Sequence, residues 1–374
     1  MRPRVFFIQP QLTEYRMGLY EGLARRCDLT VLYSPPESAR GFGSLRPRPV
    51  KGLTYQEIRT FRPVGKRIGL LQAGAVWEVI RRRPDAIIIF GNPWYASFWL
   101  TLLVGRLLGI AVLVHGHGLF KHPEAGRVRR WTYRVILVLA ARYICYADIV
   151  RQSLEDVGLP SRKLAVADNS QQNSHPVPPV EKKGNEPGVL FVGRLRSGSG
   201  VGQLVRAVER LRENGHPVTL HVIGDGEELE VLSALARDRP WVVLHGAVYD
   251  DATVADISRS CALGCYPGRA GLSVVHLMSL SLPPVVASNL AWHQGPEPSY
   301  VVDGWNGYLF DPANPDGVFE ALARAFSNRA TLHRTQVNAF ETYQRLTSPP
   351  LAERIWSIVA TSLSETAQDT GRSA

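Results

Sequence analysis

The chain has 374 residues, 45% of them hydrophobic and 20% charged, with a formal net charge of +10. That length exceeds one ordinary core and fits two domains of roughly 180 residues each, and the composition excludes a disordered chain. The charge is unevenly divided: residues 1–184 hold 28 Lys and Arg against 13 Asp and Glu, whereas residues 185–374 hold 15 against 20.

Met1-Arg2-Pro3-Arg4 leads straight into a strand pattern, so no signal peptide is expected. A first strand over residues 4–9 precedes a segment of helical spacing from Tyr15 to Arg26 and a second strand from Leu29 to Tyr33. Glu37 to Lys51, rich in Pro, Gly, Ser and Arg, reads as a mobile loop. Ile68 to Arg83 has amphipathic helical spacing, and Ala86 to Phe90 is a buried-strand run. The apolar run from Ala96 to Val114 is interrupted by Gly105, Arg106 and Gly109. It therefore reads as a buried helix ending near Leu108, then a strand over Ile110–Val114, and not as a membrane span. A helix follows from Arg129 to Arg142, then strands at Tyr143–Tyr146 and Ala165–Val166.

Residues 174–188, with four prolines and no apolar periodicity, read as an interdomain linker. The expected domains are residues 1–173 and 189–345, with a C-terminal helix over 346–374 that can cross back to the first domain. The tail after Leu363 is polar and expected to fray. Cys27, Cys145, Cys261 and Cys265 sit in apolar stretches without metal-ligand spacing and read as buried reduced thiols, which fits a cytoplasmic location.

The second half carries the most information. Short apolar runs end at Val192-Gly193-Arg194-Leu195, Ile223-Gly224-Asp225-Gly226, Leu244-His245-Gly246, Tyr266-Pro267-Gly268-Arg269-Ala270-Gly271-Leu272-Ser273 and Pro284-Val285-Val286-Ala287. Parallel strands of an α/β unit end this way when their C-terminal loops approach a ligand.

This order resembles the C-terminal domain of retaining glycosyltransferases of family 4, whose pattern runs F-V-G-R-L-x-x-x-K-G, I-G-D-G, E-G-F-G-L-x-x-x-E, G-x-P-V-V-A and D-G-x-x-G. The first half is similar more loosely, through Ile8-Gln9-Pro10, Tyr15-Arg16 and Val114-His115-Gly116-His117-Gly118. The resemblance implies the GT-B fold, two Rossmann-like α/β domains facing across a cleft. It also implies sugar transfer from a nucleoside-diphosphate donor to a hydroxyl, with retention of configuration.

It assigns Arg194 to the leaving diphosphate, where cations stabilise the growing charge, and in place of the missing family lysine Arg196 and Arg269 are the nearby candidates. Gly271, Leu272 and Ser273 offer backbone N–H groups to the same phosphates. Gly226 and Gly246 flank the nucleoside, and His276 stands where the family has its ribose-binding Glu. His115, or its neighbour His117, corresponds to the family histidine facing the donor sugar. Three positions depart from the pattern: Ser199 replaces the family lysine, Gly268 the first Glu of the acidic segment and His276 the second. No lysine follows Lys183. Glu297 is the nearest carboxylate after the fifth strand of this half and the candidate to take over that Glu's work.

No D-x-D sequence marks a metal site, so transfer without a metal or other cofactor is expected. The basic runs Arg81-Arg82-Arg83 and Arg127-Val128-Arg129-Arg130, interleaved with Trp77, Trp131 and Tyr133, suit an anionic membrane surface or a lipid-diphosphate acceptor more than a nucleic acid. The expected partners are thus a nucleotide sugar, a lipid-linked saccharide and the inner face of the cell membrane. A non-catalytic scaffold of the same fold is the rival reading, and a sugar-nucleotide epimerase a more distant one.

Overall fold

A computed structural model describes residues 2–35, 49–61, 71–122, 124–182 and 187–370. It divides into two compact units, residues 1–168 with 349–374, and residues 169–348.

The first unit contains β1 (Arg4–Gln9), α1 (Met17–Ala24), β2 (Asp28–Tyr33), β3 (Leu53–Glu57), α2 (Ala73–Arg82), β4 (Ala86–Phe90), α3 (Ala96–Leu107), β5 (Ala111–Gly116), α4 (Arg127–Leu139), β6 (Arg142–Cys145), α5 (Asp148–Glu155) and β7 (Leu164–Val166). The second contains β8 (Gly188–Val192), α6 (Val201–Glu213), β9 (Thr219–Ile223), α7 (Leu229–Ala236), β10 (Val242–Gly246), α8 (Asp251–Ser258), β11 (Cys261–Cys265), α9 (Ser273–Ser279), β12 (Pro284–Ala287), β13 (Tyr308–Phe310), α10 (Gly317–Phe326) and α11 (Arg329–Thr347). A last helix, α12 (Leu351–Thr370), belongs to the first unit.

The first sheet is parallel, in the order β3-β2-β1-β4-β5-β6-β7. Its central strands are apolar on both faces because helices cover both. Val5, Phe7, Ala86, Ile88 and Leu113 point to one core with Leu19, Tyr20 and Leu23 of α1 and Ile355 and Val359 of α12. Phe6, Ile8, Ile87, Ile89 and Val114 point to the other, with residues of α2, α3, α4 and α5. The two-residue alternation of a strand produces this division. Gly22 lets α12 dock closely, since a Cβ there would lie 2.4 Å from the Ala352 methyl.

The second sheet is also parallel, in the order β10-β9-β8-β11-β12-β13. In both sheets the order reverses beside the first strand, between β1 and β4 and between β8 and β11. Ligands of open α/β sheets bind at such switch points, beyond the carboxyl ends of the strands.

The structure differs from expectation in several places. The helix predicted over Tyr15–Arg26 is a single 3-10 turn, Glu14–Arg16, followed by α1. Arg142 opens β6, not the end of the preceding helix. The predicted start of α2 at Ile68 and most of the Glu37–Lys51 loop lie outside the described residues, as do residues 183–186 of the predicted linker. The rest of that linker lies within the second unit, where Val177 is buried and its N–H donates to the Ser279 carbonyl at 2.9 Å. The polar tail does not fray at Leu363. α12 continues to Thr370, with Glu365 paired to Arg142 and the Thr366 hydroxyl bonded to the Ser362 carbonyl.

All four cysteines are free and buried, and burial pushes the Cys27 and Cys261 thiols up to about 12. Among the described residues no helix is long and apolar enough to cross a membrane, and no three His, Cys, Asp or Glu side chains are grouped to hold a metal ion.

Candidate functional site

At the switch point of the second sheet, the loops after β8 and β9 run backbone against backbone. Gly193 N–H donates to the Ile223 carbonyl and Leu195 N–H to the Asp225 carbonyl, both at 3.0 Å. A Cβ on Gly224 would stand 1.9 Å from the Gly193 oxygen, and one on Gly226 would stand 2.3 Å from the Leu195 oxygen. Only glycine permits this approach. Gly246 (φ +67°) ends β10, and its carbonyl accepts the Gly224 N–H at 2.8 Å. The predicted nucleoside-flanking glycines Gly226 and Gly246 therefore belong to one connected set of strand ends.

Arg194 and Arg196 leave this loop beside Tyr266, the residue after β11. Burial raises the Tyr266 phenol, while Arg196 and then Arg194 oppose that rise. The phenol stacks on Phe191, with ring centroids 5.0 Å apart. The third predicted cation, Arg269, is exposed and donates from Nε to the Trp292 carbonyl at 2.9 Å.

Two of the three departures from the family pattern meet in space. Ser199 is buried, its hydroxyl donating to Glu228 Oε2 at 2.5 Å, and its carbonyl accepts the Gly268 N–H at 3.0 Å. A Cβ on Gly268 would lie 2.2 Å from the Gly198 oxygen and 2.6 Å from the Ser199 oxygen. The loop after β8 occupies the path by which a glutamate side chain would leave position 268.

Glu297 is buried near the start of α9. Its Oε1 accepts from Asn169 Nδ2 at 2.5 Å, and a Cβ on Gly271 would lie 3.8 Å from its Oε2. Gly271, Leu272 and Ser273 are half-buried, and the Gly271 carbonyl takes the Val274 N–H that begins the helix. His276 lies on the same helix, half-buried; burial lowers its pKa and Asp251 partly offsets this.

Sequence reasoning gave His293 no role. It is fully buried and holds the loop: Ala270 N–H donates to Nδ1 at 3.1 Å, while Nε2 lies 2.8 Å from the Ala287 carbonyl. An acceptor at Nδ1 requires the proton on Nε2, which then donates to Ala287. One neutral imidazole thereby ties the end of β12 to the residues just before Gly271.

In the first unit, His115 ends up buried in β5 and His117 half-buried just past its end. Two tyrosine hydroxyls hold the glycine that follows them. Tyr143 Oη accepts the Gly118 N–H at 3.0 Å, and the Tyr133 hydroxyl donates to the Gly118 carbonyl at 2.8 Å. Both rings lie against Tyr146, with centroids at 4.3 Å for His115 and 4.5 Å for His117. Burial, then Arg16 and His117, keep the His115 pKa well below its ordinary range. Burial, then Lys121 and Arg16, lower His117 to about 4. Both imidazoles are neutral at pH 7.

Comparison with known proteins decides what these sites belong to. Residues 12–170 match the family model described as Glycosyl transferase 4-like domain, and residues 186–328 match that of Glycosyl transferases group 1. Each unit thus carries a match to a glycosyltransferase domain model. Glycogen synthase of Thermus thermophilus is 28% identical over 150 residues, 39% of this chain and 33% of that protein, so the chain spans about a third of the curated relatives it matches. Among solved structures, the lipopolysaccharide outer core galactosyltransferase WaaB is similar at TM-score 0.68 and 15% identity, covering 96% of this chain and 99% of that one. HepE of Anabaena, solved in complex with UDP and glucose, is similar at TM-score 0.64 and 14% identity over 96% and 99%. Sucrose-phosphate synthase of Thermosynechococcus elongatus gives 0.68 at 16% identity over 97% and 100%. At such identities the likeness is one of fold, and that fold is GT-B.

Proposed function

We propose that this glycosyltransferase moves a sugar from a nucleoside-diphosphate donor to a hydroxyl of a lipid-linked saccharide, with retention and without a resident metal, in surface-polysaccharide assembly. The observation that carries the reading is the set of glycine-permitted loop contacts at the second sheet's switch point, with Arg194 and Arg196 beside it. A leaving diphosphate needs cations and preorganised donors at such a place. Glu297, buried beside Gly271, takes the carboxylate role that Gly268 cannot. His115 and His117, both neutral, orient groups by hydrogen bonding instead of by charge.

The acceptor class rests on the first unit's surface. Leu100, Leu103 and Leu107 form an exposed stripe on α3, and Val128, Trp131 and Val138 form one on α4. Trp77 and Arg81 are exposed on α2, and Arg127, Arg129 and Arg130 are exposed on α4. Exposed Trp and Leu among arginines suit the interface of an anionic bilayer and support a peripheral position on the inner membrane face.

A thermal-shift screen with UDP, GDP, ADP and dTDP tests the reading, since a ligand at 100 times its Kd stabilises by about 2.7 kcal/mol. A nucleotide that raises Tm names the base, and NMR of the product from the matching sugar donor reports the anomeric configuration. The scaffold reading is the one other reading with a specific observation behind it, the closed Ser199–Gly268 contact. It prevails when no nucleoside diphosphate binds at millimolar concentration.

A further inference from the structure

The first unit has its own switch point, and a cation is buried there with no carboxylate partner among the described residues. Arg16 closes the turn that follows β1 and is 6% exposed. Among the described residues no carboxylate pairs with it; Nη2 donates to the Tyr146 hydroxyl at 2.7 Å, while Nη1 is buried with no hydrogen-bond partner. Around it, Thr13 Oγ1, Tyr20 Oη and both ring nitrogens of His115 are likewise buried without partners. Arg16 is coupled electrostatically to Tyr20, Tyr146 and His115, so these groups share one locality.

A guanidinium taken out of water without an anion is strongly disfavoured, and native proteins rarely leave so many buried donors unmet in one spot. The arrangement therefore serves something that arrives from outside. Its chemistry specifies an anion with several acceptor oxygens. A planar fork presents paired N–H donors, and a tyrosine, a threonine and an imidazole add donors that can turn toward the same oxygens. No acidic side chain among these groups would repel it.

We propose that Arg16 anchors a phosphate-binding site in the first unit, separate from the diphosphate ligands Arg194 and Arg196 of the second unit. A phosphate there has two sources: the donor nucleotide, or the diphosphate that links a saccharide to a lipid carrier. Given that Arg194 and Arg196 already serve the donor, the acceptor's diphosphate is the occupant this chemistry fits. That last step rests on the glycosyl-transfer reading; the anion site itself does not.

The test measures melting temperature against inorganic pyrophosphate, UDP and farnesyl diphosphate in the wild type, Arg16→Gln, Arg16→Lys and Arg194→Ala. The expected result has two parts. Pyrophosphate and farnesyl diphosphate bind the wild type and Arg194→Ala, and their Kd rises at least tenfold in Arg16→Gln, with a smaller loss in Arg16→Lys. The ligand-free Tm of Arg16→Gln is unchanged or higher, because a buried unpaired charge has been removed, whereas an arginine with a purely structural role would lower it. UDP binding that fails in Arg16→Gln but survives in Arg194→Ala assigns the site to the donor and overturns the acceptor assignment. Diphosphate binding that is absent in the wild type, or that persists unweakened in both Arg16 variants, overturns the site. Absence of binding by all of UDP, GDP, ADP and dTDP alongside Arg16-dependent pyrophosphate binding would sink the transferase reading and leave the anion site standing. If Arg16→Gln does not fold, the ratio of Kd between wild type and Arg16→Lys decides.

Discussion

The Gly268 N–H donates to the Ser199 carbonyl at 3.0 Å. These are the two positions where the family pattern carries a glutamate and a lysine, and here they are joined main chain to main chain. The substitutions are thus one structural event. Once the loop after β8 closes on residue 268, a side chain there has no room, and Ser199 turns its hydroxyl inward to Glu228.

Restoring the family glutamate should therefore harm the protein. Gly268→Glu forces a Cβ against two carbonyl oxygens at 2.2 and 2.6 Å, both backbone and unable to swing aside. Overpacking of this kind costs about 1–3 kcal/mol. Urea denaturation should show the midpoint falling in Gly268→Glu and already in Gly268→Ala. A Gly268→Glu protein as stable as the wild type would mean that the loop opens freely, and the closed contact would lose its weight in favour of a scaffold.

His293 gives a second prediction. Its imidazole bridges Ala270 N–H and the Ala287 carbonyl, so His293→Ala leaves two buried backbone groups unmet, at about 1–3 kcal/mol each. The loop it holds leads into Gly271, so donor binding should weaken together with stability. Nucleotide Kd and Tm measured side by side check this; a loss of stability with an unchanged Kd would remove the 270–273 loop from the donor site.

The parts of this site that were legible in the sequence were those where a residue type is itself the requirement. Gly224 and Gly226 announce a close backbone approach, and the structure supplies the Gly193 and Leu195 carbonyls that demand it. The parallel strands were legible as apolar runs, whereas β3 was not, since Leu53–Glu57 is an edge strand that is half exposed and mixed in polarity. His293 was not legible because both its partners are main-chain atoms, 6 and 23 residues away. The burial of Arg16 was hidden for a related reason: the sequence pattern shows an arginine after a strand, and only the packing of α1 and Tyr146 takes it out of water.

The pH dependence of stability follows from His115 and His117. Both have folded pKa values below the unfolded value of about 6.5, His117 at about 4. Between these values the unfolded chain binds more protons than the folded one, so stability rises with pH. The contribution is fully present above about pH 6.5 and is lost as pH falls toward 4, with His117 accounting for up to about 3 kcal/mol of the loss. Urea midpoints at pH 7.5 and 5 should differ less in His117→Gln than in the wild type. Identical slopes would show that His117 accepts a proton in the folded protein at its ordinary pKa.

Glu297 offers the most direct test of chemistry in the second unit. Its carboxylate is buried and takes the Asn169 amide on Oε1, an arrangement that a glutamine oxygen can reproduce. Glu297→Gln should therefore fold with a Tm close to the wild type, since shape and the accepted hydrogen bond are kept and only the charge is lost. If the carboxylate orients the transferred sugar as proposed, the loss falls on transition-state stabilisation, and kcat drops by about 10²-fold or more at a donor Kd changed by less than about tenfold. Glu297→Ala removes the hydrogen-bond acceptor as well and should lose stability in addition, because Asn169 is left unmet in a buried place. Single-turnover transfer from the donor identified by thermal shift, measured for both variants, separates the two effects. A glutamine variant with wild-type turnover would return Glu297 to a purely structural part, bracing the Gly271 turn through its contact with Gly295 and Asn169.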